Sequence, residues 1–315
     1  MIKSLAFWLP QGASTLAGFH DKLYLFVCLV AVFFFAIVTL GTFFLVFRYR
    51  RRGDWQLTCG KAHNTALEIF WSIIPGILTT IIFFWGFFVY MKAQIAPANA
   101  IEVRVTASQF QWNFTYNTPD GMQFDSPKLV VPAHMPVKLI MQSRDVIHSL
   151  YIPNFRVKMD VLPNRYSSVW FEATEENEYP LYCTEFCGNG HSVMNTTVEV
   201  VTESTYRTWL LKTAEESSSM HPGKKIYRQL CSGCHSLDGS KMTGPSFAGV
   251  YGKEEQFADG STGVVDDNYI RESVLNPQAK VVAGYPENGM NSFAGQLSDE
   301  DISNIIDFIK TLEDK

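Results

Sequence analysis

The chain has 315 residues, of which 47% are hydrophobic and 14% aromatic, and its formal net charge is -5. This length leaves room for about two domains plus a membrane anchor. Residues 1–97 carry 8 Lys+Arg against 3 Asp+Glu, whereas 98–221 and 222–315 each carry 9 against 14. A basic membrane segment followed by two acidic soluble domains is the simplest interpretation, and no nucleic-acid partner is expected.

Two uncharged runs predict a membrane hairpin within residues 1–97. Residues 23–47 and 69–91 contain no charged side chain. At ~1.5 Å per helical residue, each run is long enough to cross a hydrocarbon core of ~30 Å. The preceding apolar run at 5–9 is too short for a signal peptide, so we expect no cleaved leader.

The loop between the two runs sets the predicted orientation. It contains five basic residues, Arg48, Arg50, Arg51, Arg52 and Lys61. Short loops rich in Lys and Arg remain cytoplasmic. Both termini, and everything after the hairpin, are therefore expected on the opposite face of the membrane.

Residues 98–214 have the pattern of a β domain. Short runs with β-branched or alternating character occur at 101–105, 110–116, 128–131, 137–142, 168–171 and 196–201. Strands at this spacing indicate a sandwich or barrel. A helix at about 204–214 is expected to close the domain, and the three serines in 215–222 predict a linker.

Residues 223–315 form a third predicted unit. A helical stretch at 223–230 leads directly into Cys231-Ser-Gly-Cys234-His235. The unit ends in a predicted helix at 298–312, with Ser298 as its N-cap and isoleucines recurring at helical spacing. Two helices therefore frame a middle that is rich in loops.

Residues 183–194 read Cys-Thr-Glu-Phe-Cys-Gly-Asn-Gly-His-Ser-Val-Met. Two thiols, an imidazole and a thioether in one loop predict a soft-metal site, and copper suits all of these ligands. With His148 added, two Cys and two His also satisfy tetrahedral zinc. A disulfide between Cys183 and Cys187 is a third alternative on an oxidising face of the membrane. Met194 favours copper, because a weak axial thioether is typical of copper electron-transfer sites.

A more specific pattern is His148 followed 35 residues later by Cys-x-Glu-x-Cys-x3-His-x2-Met. It resembles the dinuclear copper A site of cytochrome c oxidase subunit II. The resemblance implies a cupredoxin-like Greek-key barrel, with Cys183 and Cys187 bridging both coppers. The other implied ligands are His148, His191, Met194 and the backbone carbonyl of Glu185. The Glu185 side chain is further implied to bind a magnesium ion shared with subunit I.

Cys-x-x-Cys-His is the attachment signature of c-type haem. Cys231 and Cys234 are expected to form the thioethers, and His235 to ligate the iron. Met290, 55 residues further on, is the expected sixth ligand. Met242 is the competitor, but it would have to wrap the haem edge within a very short loop. The Gly244-Pro245 turn resembles the turn of cytochromes c whose carbonyl accepts the N–H of the iron-binding histidine. The resemblance of this segment to cytochromes c implies an all-α domain.

The resemblance also bears on three residues outside these motifs. Glu68 precedes the second membrane run and resembles the glutamate at the start of a proton-uptake path, although it also complements the helix dipole. Phe110 stands where the family presents a tryptophan that receives electrons from cytochrome c. A fused donor need not use that surface, so electrons are expected to bypass Phe110. Trp112 is either part of the electron path or an ordinary core residue.

The whole chain therefore resembles subunit II of bacterial haem-copper oxidases with a fused cytochrome c domain. Haem c is expected to pass electrons to copper A and on to haem in subunit I, where dioxygen becomes water and protons are pumped. Subunit III and an upstream cytochrome c or quinol-oxidising complex are the other implied partners. The implied location is the bacterial inner membrane, with both soluble domains on the periplasmic or outer face.

Two alternatives belong to other classes. One is a membrane-tethered copper-binding protein or metallochaperone without an oxidase partner. The other is a subunit II relative of a quinol oxidase, but such relatives generally lack the copper ligands that this sequence contains.

Overall fold

The computed structural model describes residues 9–53, 60 and 63–312. Lys61 and most of the apolar run at 5–9 lie outside these residues, so the expectations built on them stay predictions.

Two long helices begin the described chain. Helix α1 spans Thr15–Tyr49 and α2 spans Thr65–Gln94, so both extend beyond the uncharged runs at 23–47 and 69–91. They begin at side-chain caps, since Ser14 accepts from Ala17 N and Asn64 accepts from Leu67 N. Both helices are long and apolar enough to cross a membrane, and none of the most apolar stretch of either is buried within the chain. Their apolar side chains are therefore available to lipid or to another subunit.

The middle domain is built from ten strands. They are β1 Ile101–Ser108, β2 Gln111–Asn117, β3 Gln123–Ser126, β4 Leu129–Pro132, β5 Pro136–Ser143, β6 His148–Ile152, β7 Val157–Val161, β8 Ser167–Glu172, β9 Asn177–Cys183 and β10 Asn195–Val201. One sheet has the order β3-β2-β1-β5-β8 and the other β4-β10-β9-β6-β7. The edge strands β7 and β8 contact each other, which closes one side. The result is the cupredoxin-like half-barrel that the sequence predicted.

One apolar core lies between the two sheets. Alternate residues of β1, among them Val103 and Val105, are buried, as the period-two pattern requires. Strand β4 is buried at every position, and it pairs with β10 in parallel. The strands β3, β6, β7 and β9 were not predicted, because they are short or carry polar residues and, in β9, Pro180.

The membrane hairpin is fixed to the barrel by a buried arginine. Arg156 Nε and Nη2 donate to the two carboxylate oxygens of Asp21 at 2.8 and 3.0 Å, and Nη2 also donates to the Pro10 carbonyl at 2.7 Å. Trp170 Nε1 donates to the Lys92 carbonyl at 3.1 Å at the end of α2. These bonds hold the barrel against the ends of both helices.

Helix α3 corrects the predicted domain boundary. It spans Glu203–Ser218, so the first half of the expected linker 215–222 is helical. The buried Ala214 keeps the helix packed on the barrel core, and the Lys212–Glu216 pair supports its last turn. Pro222 then begins the next helix, as proline favours the first helical position.

The C-terminal unit has its own core, centred on Ile302, Ile305 and Ile306. Its elements are α4 Pro222–Ile226, a π-helical turn Tyr227–Cys231, β11 Glu254–Gln256, β12 Thr262–Val264, α5 Asp267–Leu275 and α6 Asp299–Lys310. The predicted helical domain is confirmed, and it includes one short hairpin in which β11 and β12 pair. Helix α6 begins at Ser298 with a capping box formed with Asp301.

Candidate metal and haem sites

The soft-metal loop connects two neighbouring strands. Cys183 ends β9, a 3-10 turn spans His191–Val193, and β10 begins directly after Met194. His148 begins β6, which pairs with β9 so that Leu150 lies opposite Cys183. Strand pairing therefore brings His148 to a loop that is 35 residues away in the sequence.

All six candidate ligands converge. Cys183 Sγ lies 3.9 Å from Cys187 Sγ, 3.9 Å from His148 Nδ1 and 3.4 Å from the Glu185 carbonyl oxygen. Cys187 Sγ lies 3.5 Å from His191 Nδ1 and 3.8 Å from Met194 Sδ. The two sulfurs occupy the centre, with one imidazole on each side.

The surroundings of the two thiols differ. Burial by itself raises the pKa of Cys183, but hydrogen bonds to His148 and to the backbone lower it to about 6. Burial and the neighbouring Cys183 raise the pKa of Cys187 to about 12. The pair therefore resists losing its second proton until a cation compensates the charge, as metal binding does.

Asp145 orients His148, and the sequence analysis did not single it out. Its Oδ1 lies 2.8 Å from His148 Nε2, and its Oδ2 accepts from Gln109 N at 2.7 Å. Although burial raises the pKa of Asp145, the bonds from His148 and Gln109 bring it below the ordinary value, so the carboxyl stays ionised. With Nε2 bound to a carboxylate, Nδ1 is left to face the thiols, an arrangement typical of metal-ligating histidines. The sequence signal that could have identified Asp145 is its position three residues before the candidate ligand His148.

The donor set decides among the alternatives. At 3.9 Å the two sulfurs are too far apart for a disulfide, whose S–S bond is about 2.05 Å. A tetrahedral zinc site needs four ligands, whereas this cluster adds a buried thioether and a backbone carbonyl. Soft sulfur ligands with two imidazoles fit copper, and the two central thiolates suit a pair of coppers.

The haem-attachment motif lies at the end of a helix. Cys231 ends the π-helical turn, and His235 is buried close by with 8% of its surface exposed. His235 Nδ1 donates to the Pro245 carbonyl at 2.7 Å, as the Gly244-Pro245 turn predicted. Burial lowers the pKa of His235, so the imidazole is neutral. Its free Nε2 is then suited to bind iron.

An apolar cavity extends from this motif and fits a haem. Cys231, Cys234, His235 and Met290 all line it, among residues of both soluble domains. Gly244 permits the close approach, since a Cβ there would lie 2.5 Å from His235 Cε1. Met242 is not among the lining residues and is 39% exposed.

Phe110 lies between the two candidate sites. Its ring packs on Gly188 and Gly190 of the soft-metal loop, and it also lines the cavity at the haem-attachment motif. The Phe110 carbonyl lies 3.2 Å from where a Cβ of Gly233, inside that motif, would stand. Phe110 is therefore in contact with both candidate sites, and whether electrons pass through it or bypass it stays a prediction.

The remaining predicted residues have ordinary local partners. Trp112 is buried in the barrel core, and its ring lies edge-on to that of His148 with centroids 6.2 Å apart. Glu68 accepts from Asn64 N at 3.3 Å in the first turn of α2, which is a capping contact. The Glu185 side chain is exposed on the outside of the loop.

Comparisons with known proteins match three segments of the chain to families. Residues 3–89 match the family described as cytochrome C oxidase subunit II, transmembrane domain. Residues 125–201 match cytochrome C oxidase subunit II, periplasmic domain, and residues 220–313 match cytochrome c.

Individual relatives carry the same description. Cytochrome c oxidase subunit 2 of Alkalihalophilus pseudofirmus is 27% identical over 96% of this chain and 90% of its own length. Probable cytochrome c oxidase subunit 2 of Rickettsia prowazekii is 27% identical over 64% of this chain and 70% of its own length. A solved periplasmic domain of cytochrome oxidase subunit II from Bradyrhizobium japonicum covers 39% of this chain and 99% of its own, with 24% identity and a TM-score of 0.37.

Proposed function

We propose that the chain is a cytochrome c oxidase subunit II with a fused cytochrome c domain, the electron-accepting subunit of a haem-copper oxidase, since three of its segments match the two subunit II family models and the cytochrome c model. Electrons pass from haem c to copper A and then to haem in subunit I, where dioxygen is reduced and protons are pumped. The observation that carries this proposal is the position of Phe110, against both the copper loop and the haem cavity.

When bound, haem c and the copper pair supply reversible one-electron transfer. The residues of this chain hold the two centres. Cys183, Cys187, His148, His191, Met194 and the Glu185 carbonyl would hold the coppers, with the two thiolates at the centre of the donor set. Asp145 fixes the ring of His148, and the inner strands β6, β9 and β10 anchor the segments that carry the donors.

On the haem side, Cys231 and Cys234 form the thioethers. His235 and Met290 would hold the iron, since both line the same cavity. A thioether ligand raises the reduction potential of haem, which suits a carrier in a chain that ends in dioxygen.

The wider assembly follows from the same proposal. The exposed apolar side chains of α1 and α2 contact subunit I and lipid, in a bacterial inner membrane with both soluble domains on the outer face. The exposed Glu185 carboxylate binds magnesium at the boundary with subunit I. Glu68, at the basic cytoplasmic end of α2, admits protons to subunit I. Subunit III and an upstream cytochrome c or quinol-oxidising complex complete the set of partners.

A metallochaperone is the competing function. It needs a copper site from which the metal can leave, whereas four of the candidate ligands are buried: His148, Cys183, Cys187 and Met194. It also has no use for a haem cavity beside the copper loop.

Electron paramagnetic resonance with metal analysis on the protein purified from its native membrane tests the proposal. We expect a hyperfine pattern from one electron shared by two coppers, one covalent haem, and co-purification with a larger haem-containing subunit. Zinc in place of copper, or a chain that purifies alone and exchanges its copper, would contradict it.

A further inference from the structure

Gln109 contacts both soluble domains from the short turn between β1 and β2. Its side-chain Nε2 donates to the backbone carbonyl of Cys187, in the copper loop. Its Oε1 accepts from Asn291 Nδ2 at 2.8 Å, in the cytochrome domain. One amide group therefore bonds a copper-ligand residue on one side and the neighbour of Met290 on the other.

The backbone of Gln109 is held as well. Its N–H donates to Asp145 Oδ2 at 2.7 Å, and the other oxygen of that carboxylate bonds His148. Gly188 makes room for the amide, since a Cβ there would lie 2.8 Å from Gln109 Nε2. Gln109 is thus held within the barrel through both its backbone N–H and its side-chain Nε2.

A second glutamine contacts the haem-attachment motif. Gln111 Oε1 accepts from Ser232 Oγ at 3.2 Å and from Gly233 N at 3.1 Å. A further bond between the domains runs from Gln229 Nε2 to a carboxylate oxygen of Asp125. Gln109 adds the contact beside Met290, and contacts at several separate residues fix the orientation of a domain more closely than one contact does.

We propose that Gln109 is a positioning residue for haem-to-copper electron transfer, setting the orientation of the cytochrome domain on the copper loop through Asn291 and Cys187. This inference rests on the function proposed above. In each transfer one electron leaves ferrous haem, which becomes ferric, and reduces the oxidised copper pair, with no bond or proton exchanged. Because the domain is tethered, loss of Gln109 widens its range of orientations without releasing it.

The test uses the membrane-bound oxidase with haem rapidly photoreduced and copper reduction followed optically. We expect Gln109→Ala and Asn291→Ala each to slow the transfer by about tenfold, as small misplacements of reacting centres do. If the two residues act through their shared bond, the double variant is no slower than Gln109→Ala alone. Gln123→Ala is the matched control, since that exposed glutamine bonds only Asn117 in the same barrel.

A spectroscopic readout separates the two halves of the contact. Gln109→Glu keeps an acceptor for Asn291 but loses the donor to the Cys187 carbonyl, so we expect it to shift the copper resonance. Asn291→Ala touches no copper ligand and should leave that resonance unchanged. It therefore keeps the test valid if Gln109 variants load copper poorly.

Two results would overturn the inference. One is a transfer rate in Gln109→Ala within about twofold of the unmodified protein, below the scale of a positional effect. The other is independent, multiplicative slowing by Gln109→Ala and Asn291→Ala. Absence of the shared-electron copper signal in the unmodified protein would instead contradict the proposed function.

Discussion

Gly190 and Phe110 are packed so closely that a Cβ at position 190 would overlap the phenylalanine ring. Phe110 is itself 7% exposed and belongs to the barrel core. The soft-metal loop is therefore shaped around this ring. The absence of a side chain at position 190 lets the soft-metal loop pack against the same residue that lines the apolar cavity.

Replacing Gly190 with alanine should destabilise the copper loop. Overpacking of a filled site costs about 1–3 kcal/mol, so we expect lower thermal stability of the barrel and a changed copper resonance. Gly190→Ala combined with Phe110→Leu should recover most of the loss of stability, because the smaller leucine side chain leaves room for the added methyl group. Unchanged stability and resonance in Gly190→Ala would show that the ring does not hold the loop.

Removing the charge of Asp145 should weaken copper binding. Loss of a carboxylate that orients a histidine ligand typically costs about 10- to 100-fold in metal affinity, and we expect this range for Asp145→Asn in competition with a chelator. Asp160→Asn is the control, because that carboxylate bonds Ser149 and Lys158 and no candidate ligand. Equal copper retention by the two variants would rule out an orienting role for Asp145.

The two methionines can be separated by potentiometry. Met290→Ala should lower the haem reduction potential on the order of 0.1 V, within the ~0.8 V range over which axial ligands act. Met242→Ala should leave it unchanged, since that side chain does not line the cavity. The reverse result would assign the iron ligand to Met242.

The capping box of α6 gives a prediction with a pH dependence. Ser298 N and Oγ donate to Asp301 Oδ2 at 3.0 and 2.7 Å, and these bonds lower the pKa of Asp301. A depressed pKa contributes stability above the unfolded value, and this contribution is lost as pH falls through the folded value. Asp301→Asn should therefore flatten the acid side of the unfolding curve of the cytochrome domain.

Ser298→Ala tests the same cap without a change in charge. Loss of an N-cap costs about 1 kcal/mol, which corresponds to a fall of roughly 4–8 °C in the melting temperature of a domain this size. Ser303→Ala, on the exposed face of the same helix, is the control. Equal melting temperatures for the two variants would mean that the cap does not limit the stability of the domain.

Local patterns in the sequence determined much of this protein. Uncharged runs longer than a bilayer predicted α1 and α2, because no other environment accepts so many consecutive apolar residues. The haem-attachment motif is contiguous, so its spacing alone indicates its chemistry. The soft-metal loop is nearly so, but the resemblance was needed to choose copper over zinc and to add the Glu185 carbonyl as a ligand.

Other features depend on contacts between distant residues, and only the tertiary structure decided them. Asp145 acts on His148 through a turn geometry that no spacing rule specifies. The continuation of α3 through Ser218 depends on packing of Ala214 against the barrel, which overrides the preference of serines for loops. The contact of Gln109 with both Cys187 and Asn291 joins residues 78 and 182 positions apart. Composition and periodicity describe each domain separately, whereas the relation between two domains is set by side chains that meet only after both have folded.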